Sequence, residues 1–161
     1  MLVQQAMMIT EIEDGNEEWR KISSNITTWK PEAYEVELNQ NFEVWRKYKT
    51  FTWNGETDSN GYYVNYTGDD DGFDWSDPQA AQPNQWKQLS EITQYDEFSN
   101  PLEVKDINGN LAASKMGYSQ SKTIATSNSG YQETFYSGAE DDDGQGHFGG
   151  EVNKGTASIT N

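Results

Sequence analysis

Apolar and polar residues alternate with a period of two along most of this chain, which places successive side chains on opposite faces of an extended strand. Phe98, Leu102 and Val104 alternate with polar neighbours on the way into Asp106-Ile107-Asn108-Gly109-Asn110. That Asn-Gly reads as a tight hairpin turn in which both residues adopt positive φ. Residues 31–39 carry glutamates at 32, 35 and 37, but Tyr34, Val36 and Leu38 alternate, so a strand is expected there too. Gly61 to Thr67, Tyr131 to Tyr136 and Thr156 to Thr160 read as further strands, the last with an unpaired edge. Residues 1–18 read as a weak strand or acidic tail, and Ser119 to Ser129 as the least structured stretch.

A loose repeat overlies this pattern. Trp19-Arg20-Lys21 leads to Trp29, Trp45-Arg46-Lys47 to Trp53, and Trp86-Lys87 to Tyr95, with separations of 10, 8 and 9 residues. Each copy runs from a Trp and its cations through a Thr to a second aromatic. A unit of this size suits one strand or hairpin laid down repeatedly in a sheet.

Composition changes the picture in one respect. Leu, Ile, Val and Phe together make up 25 of 161 residues, and the net charge is −16, values that border on disorder. Six Trp and nine Tyr argue for a folded chain with aromatic packing in place of a deep aliphatic core. The negative charge disfavours nucleic acid as a partner. The chain has no cysteine, so no disulfide or thiolate site is available. No apolar run is long enough for membrane insertion, and Met1 to Thr10 lacks the basic residues of a signal peptide.

Catalytic chemistry finds little support. His147, the single histidine, sits in a glycine-rich run with no group to orient it as a base. A glycoside-hydrolysing carboxylate pair has no apolar surroundings to single it out among 27 acids. Calcium is the better cofactor candidate, because clustered carboxylates suit a hard cation. Asp69, Asp71 and Asp74 form one candidate set, and Glu140, Asp141 and Asp143 a second. Trp53, Tyr62, Tyr66, Trp75 and Trp86 are candidate platforms for stacking on a glycan, in competition with a core role. The residues thus point to a non-catalytic structural or interaction module, with a carbohydrate-binding module as the alternative and a fragment of a glycoside-active enzyme behind it.

Tyr95-Asp96 followed by the hairpin pattern to Asn110 resembles the YD repeats of Rhs-type proteins. Val44 to Thr50, Glu91 to Asp96, and Ala125 to Asn128 running into Tyr136 to Asp141 are similar to segments of large secreted surface proteins of Bacteroidota-type bacteria. The resemblance implies an all-β fold of antiparallel hairpins in a YD/Rhs-like meandering sheet over 19–137, after an acidic segment 1–18. It also implies the start of a jelly-roll over 138–161, with Glu140-Asp141 in its first strand and residues 154–160 in its second. Secretion or display at the bacterial cell surface is implied, with neighbouring modules or surface proteins as partners and glycans as further ones. The self-cleaving Asp-Pro-x-Gly motif of toxin shells is absent, since Asp77-Pro78 is followed by Gln79-Ala80.

Overall fold

The computed structural model describes residues 5–36, 40–68, 70–82 and 85–134. The chain is all-β. The described residues form seven antiparallel strands, β1 (Met7–Glu13), β2 (Trp19–Val36), β3 (Gln40–Trp53), β4 (Trp86–Tyr95), β5 (Pro101–Asp106), β6 (Leu111–Gly117) and β7 (Lys122–Ser127). A 3-10 turn, Tyr131–Glu133, follows them. Two compact units divide the chain, Met1–Glu91 and Ile92–Asn161, with the boundary inside β4. Among the described residues no helix is long and apolar enough to cross a membrane. The second calcium set, His147, the jelly-roll segment and the strand at 156–160 lie outside the described residues.

In the first unit, strand order follows chain order. β1 pairs with β2, β2 with β3, and β3 with β4. Ser24, Ile26 and Thr28 alternate as the buried face of β2, and Ile26 sits opposite Phe51. A bulge interrupts the β2–β3 register between Thr27 and Trp29. There the Thr28 hydroxyl oxygen accepts from the Lys49 N–H at 3.2 Å, in place of a backbone carbonyl. The Trp-led repeat resolves into one copy per strand, on β2, β3 and β4. The copies are not equivalent in burial: Trp19 and Trp45 are exposed, and Trp86 is buried against the core.

The segment between β3 and β4 folds back over the buried face. Phe73 joins Ile26, Phe51, Trp53 and Trp86 in the core, with Tyr63 and Tyr66 packed at its margin. This replaces the strand expected over Gly61 to Thr67. Only the bridge Thr57–Tyr63 forms there, because Gly61 (φ 83°), Asn65 (φ 62°) and Gly68 (φ 74°) turn the backbone out of the extended region. The aromatic alternation that resembles a strand instead aims two phenols at one tryptophan.

In the second unit β5 pairs with β6, and β6 with β7. Strands therefore occupy much of the stretch expected to be least structured. Small residues permit it: a Cβ on Gly117 would lie 2.8 Å from Ile124 Cγ2, so glycine lets Ile124 pack across the pair. The connecting turn uses three consecutive non-glycine residues at positive φ, Tyr118, Ser119 and Gln120, which gives no glycine signal to read. Tyr131 to Thr134 is a 3-10 turn followed by extended backbone, and the expected strand is absent over these residues. The Tyr131 N–H donates to Glu103 Oε2 at 2.7 Å, and its ring covers the buried Lys115 with Nζ 3.3 Å from the centroid. Those two contacts hold the segment against the sheet as a cap.

Candidate functional site

Among the described residues four five-residue turns share one construction. They begin at Asp14, Asp58, Asp96 and Asp106. In each, the Asp Oδ1 accepts from the N–H groups two and four residues on, at 2.7–3.1 Å. In each, the Asp N–H donates to the carbonyl four residues on, and the N–H three residues on donates back to the Asp carbonyl. The third residue after the Asp adopts positive φ: Glu17 at 63°, Gly61 at 83°, Ser99 at 71° and Gly109 at 84°. This corrects the turn expected at Asn108-Gly109. Asn108 is not left-handed, and the loop has the three-residue form with a single left-handed position. Hydrogen bonds hold the carboxyl groups of Asp14 and Asp106 below the usual range, from the Asn16 backbone first for Asp14 and the Asn110 side chain first for Asp106.

The densest convergence of candidate residues lies in the acidic loop at residues 67–75, on the face of the first unit's core. Gly68, Asp71 (φ 42°) and Gly72 (φ 74°) tighten this loop so that its acceptors face three indoles. Trp53 Nε1 donates to Asp71 Oδ2 in a short hydrogen bond. Trp75 Nε1 donates to Asp70 Oδ2 at 3.0 Å, and Trp86 Nε1 to the Asp70 carbonyl at 2.7 Å. Asp71 Oδ1 accepts from both the Thr67 N–H and its hydroxyl, each at 2.8 Å. Burial pushes the Asp71 carboxyl up, but the Thr67 and Trp53 hydrogen bonds outweigh it and leave the group below the ordinary carboxylate range.

The phenols complete the assembly. Tyr66 Oη and Ser24 Oγ lie 2.9 Å apart, and Tyr63 Oη accepts from the Ser24 N–H at 3.1 Å. Burial raises both phenols, in part offset by Ser24. Trp53 meets Tyr63 at 4.2 Å and Tyr66 at 5.1 Å between ring centroids. Beside it an open depression of about 280 Å³ is lined by Trp53, Glu56, Val64, Asn65, Asp71 and Gln85.

The residues singled out by sequence therefore meet, but mostly with one another. Trp53 and Trp86 are buried and Tyr66 is half-buried against Trp53, so little of their ring faces is open. Tyr62 is half-buried beside the Asp58 turn, and its N–H donates to Asp58. Trp75 is 41% exposed and is the most open of the five platforms. Of the first calcium set, Asp69 lies outside the described residues. Asp71 accepts from Trp53 and Thr67, and Asp74 Oδ1 accepts from the Ser76 N–H at 2.9 Å and its hydroxyl at 2.5 Å. Among the described residues no three acidic or histidine side chains converge in a metal-holding group. Sequence reasoning missed Asp70, whose partners are set by the fold. It also missed Asp58, although Asp58-Ser59-Asn60-Gly61 matches Asp106-Ile107-Asn108-Gly109 in type and spacing.

No protein family, no curated protein and no solved structure matches this chain.

Proposed function

We propose that this chain is a non-catalytic structural and interaction module of the YD/Rhs-like kind, displayed on or secreted from a bacterial cell. One observation carries the reading: the acidic loop and the three indoles beside it are spent on each other. The indole N–H groups of Trp53, Trp75 and Trp86 end on Asp70 and Asp71. Four further aspartates each close a turn. Such a design builds a stable hairpin surface from few aliphatic residues, and it leaves the buried rings of Trp53 and Trp86 without an open face for stacking.

The module's role is then to present strands and loops to neighbouring modules and surface partners. Titration calorimetry with soluble oligosaccharides and with calcium is the test, since each would engage the same loop. The reading expects no saturable heat. Saturable glycan binding lost in Trp75→Ala would replace it with the carbohydrate-binding alternative.

A further inference from the structure

Three Asn-Gly pairs occur in this chain, Asn54-Gly55, Asn60-Gly61 and Asn108-Gly109. In such a pair the glycine nitrogen can attack the asparagine side-chain carbonyl carbon, unobstructed by a Cβ. The N–Cγ bond forms, the Cγ–Nδ2 bond breaks, and ammonia leaves with the proton lost by the glycine nitrogen. Water then opens the cyclic imide at either carbonyl, giving aspartate or isoaspartate. No oxidant or further reactant is required.

The fold treats the three pairs differently. The Gly61 and Gly109 N–H groups each donate to the carbonyl of the turn's aspartate at 3.0 Å. Both glycines are also fixed in the left-handed region. Attack there requires the turn to open first. Asn54 lies just past β3. Its own N–H donates to the Gln85 carbonyl at 2.8 Å, its side chain is exposed, and the Gly55 N–H makes no hydrogen bond among the described residues. We infer that Asn54 is a modification site, the pair at which this chain deamidates spontaneously, and that the two turn pairs are protected.

The position gives the change a structural consequence. The Trp53 ring lies where a Cβ on Gly55 would stand. An isoaspartate at 54 adds a methylene to the backbone directly beside that contact, and deamidation by either route adds a negative charge at the residue that follows Trp53. The modified chain should lose part of the fixed environment of Trp53.

The experiment is incubation of the folded chain at mildly alkaline pH, with peptide mapping of all three sites and labelling by an isoaspartyl methyltransferase. The urea-unfolded chain supplies the intrinsic rates. Relative to those rates, Asn54 should convert at least about fivefold faster than Asn60 or Asn108, the factor set by releasing one ordinary hydrogen bond. The isoaspartate-54 fraction should show a weakened near-UV tryptophan signal. Conversion of Asn60 or Asn108 at the relative rate of Asn54 would overturn the inference. So would an Asn54 that stays intact in the folded chain while it converts in urea.

Discussion

Replacing Asp71 with alanine removes the acceptor that Trp53 needs. Trp53 is 5% exposed, so water cannot readily take the place of Asp71 Oδ2. An orphaned buried donor costs about 1–3 kcal/mol. The Thr67 N–H and hydroxyl also lose their acceptor, but Thr67 is exposed and water replaces most of that loss. The sum for Asp71→Ala is about 2–3 kcal/mol, a large share of the roughly 5–15 kcal/mol that holds an ordinary domain together. Asp71→Asn keeps the size and tolerates the positive φ, but its single amide oxygen can serve Trp53 or Thr67 and not both. About 1 kcal/mol is expected for it, the worth of one hydrogen bond. Urea unfolding followed by near-UV circular dichroism reads these differences from the midpoint and slope. A double-mutant cycle with Trp53→Phe isolates the pair. A loss under about 0.5 kcal/mol for Asp71→Ala, the range of an ordinary surface substitution, would refute the reasoning. Additive losses in the cycle would do the same. Calcium makes the assay sharper. If millimolar calcium stabilised the wild type by mass action and Asp71→Ala abolished the gain, the loop would be a cation site.

Other consequences follow from single contacts. Gly55→Ala drives a Cβ into the Trp53 ring and should cost about 1–3 kcal/mol in the same assay, the usual range for overpacking; a neutral result would mean that the ring is free to move. Ser99 occupies the left-handed position that glycine fills in the Asp58 and Asp106 turns, so Ser99→Gly should stabilise by about 0.5–1 kcal/mol. Destabilisation on thermal melting would contradict that turn geometry. Burial first, and the hydrogen bond to Glu91 at 2.8 Å second, push the Tyr48 phenol up to about 12 from its ordinary 10.0. A raised folded value stabilises fully below the unfolded value and is lost as pH rises through the folded one. Stability should therefore fall between pH 10.0 and about 12, less steeply in Tyr48→Phe. Simultaneous ionisation of every phenol near pH 10.0, with no loss of stability, would count against it.

The all-β class was legible because period-two alternation is a direct consequence of strand geometry. The Asp106 turn was legible in place, although not in type, because Asp-x-Asn-Gly also suits a three-residue loop. Gly61 to Thr67 misled for a physical reason: its rings alternate in sequence, yet glycines and a left-handed Asn65 redirect them onto Trp53. β6 was hidden because its buried positions hold Ala113, Lys115 and Gly117, which give no strong apolar alternation, and β7 because none of its positions is buried. Tyr131 and Glu103 make that pattern tolerable only once the chain has folded. The acidic loop was visible as a feature, but its partners were not. Nothing in Asp69-Asp70-Asp71 announces that two of its members face indoles from residues 53, 75 and 86.

Hydrogen exchange at the tryptophan indole N–H groups, followed by NMR with and without calcium and oligosaccharides, addresses this pairing of acids with rings most closely. Trp53 and Trp86 should exchange slowly, Trp53 should lose its protection in Asp71→Ala, and neither additive should shift their resonances. Rapid exchange at both, or resonances that move on adding calcium or sugar, would mean that the loop is built for a ligand and not for the core.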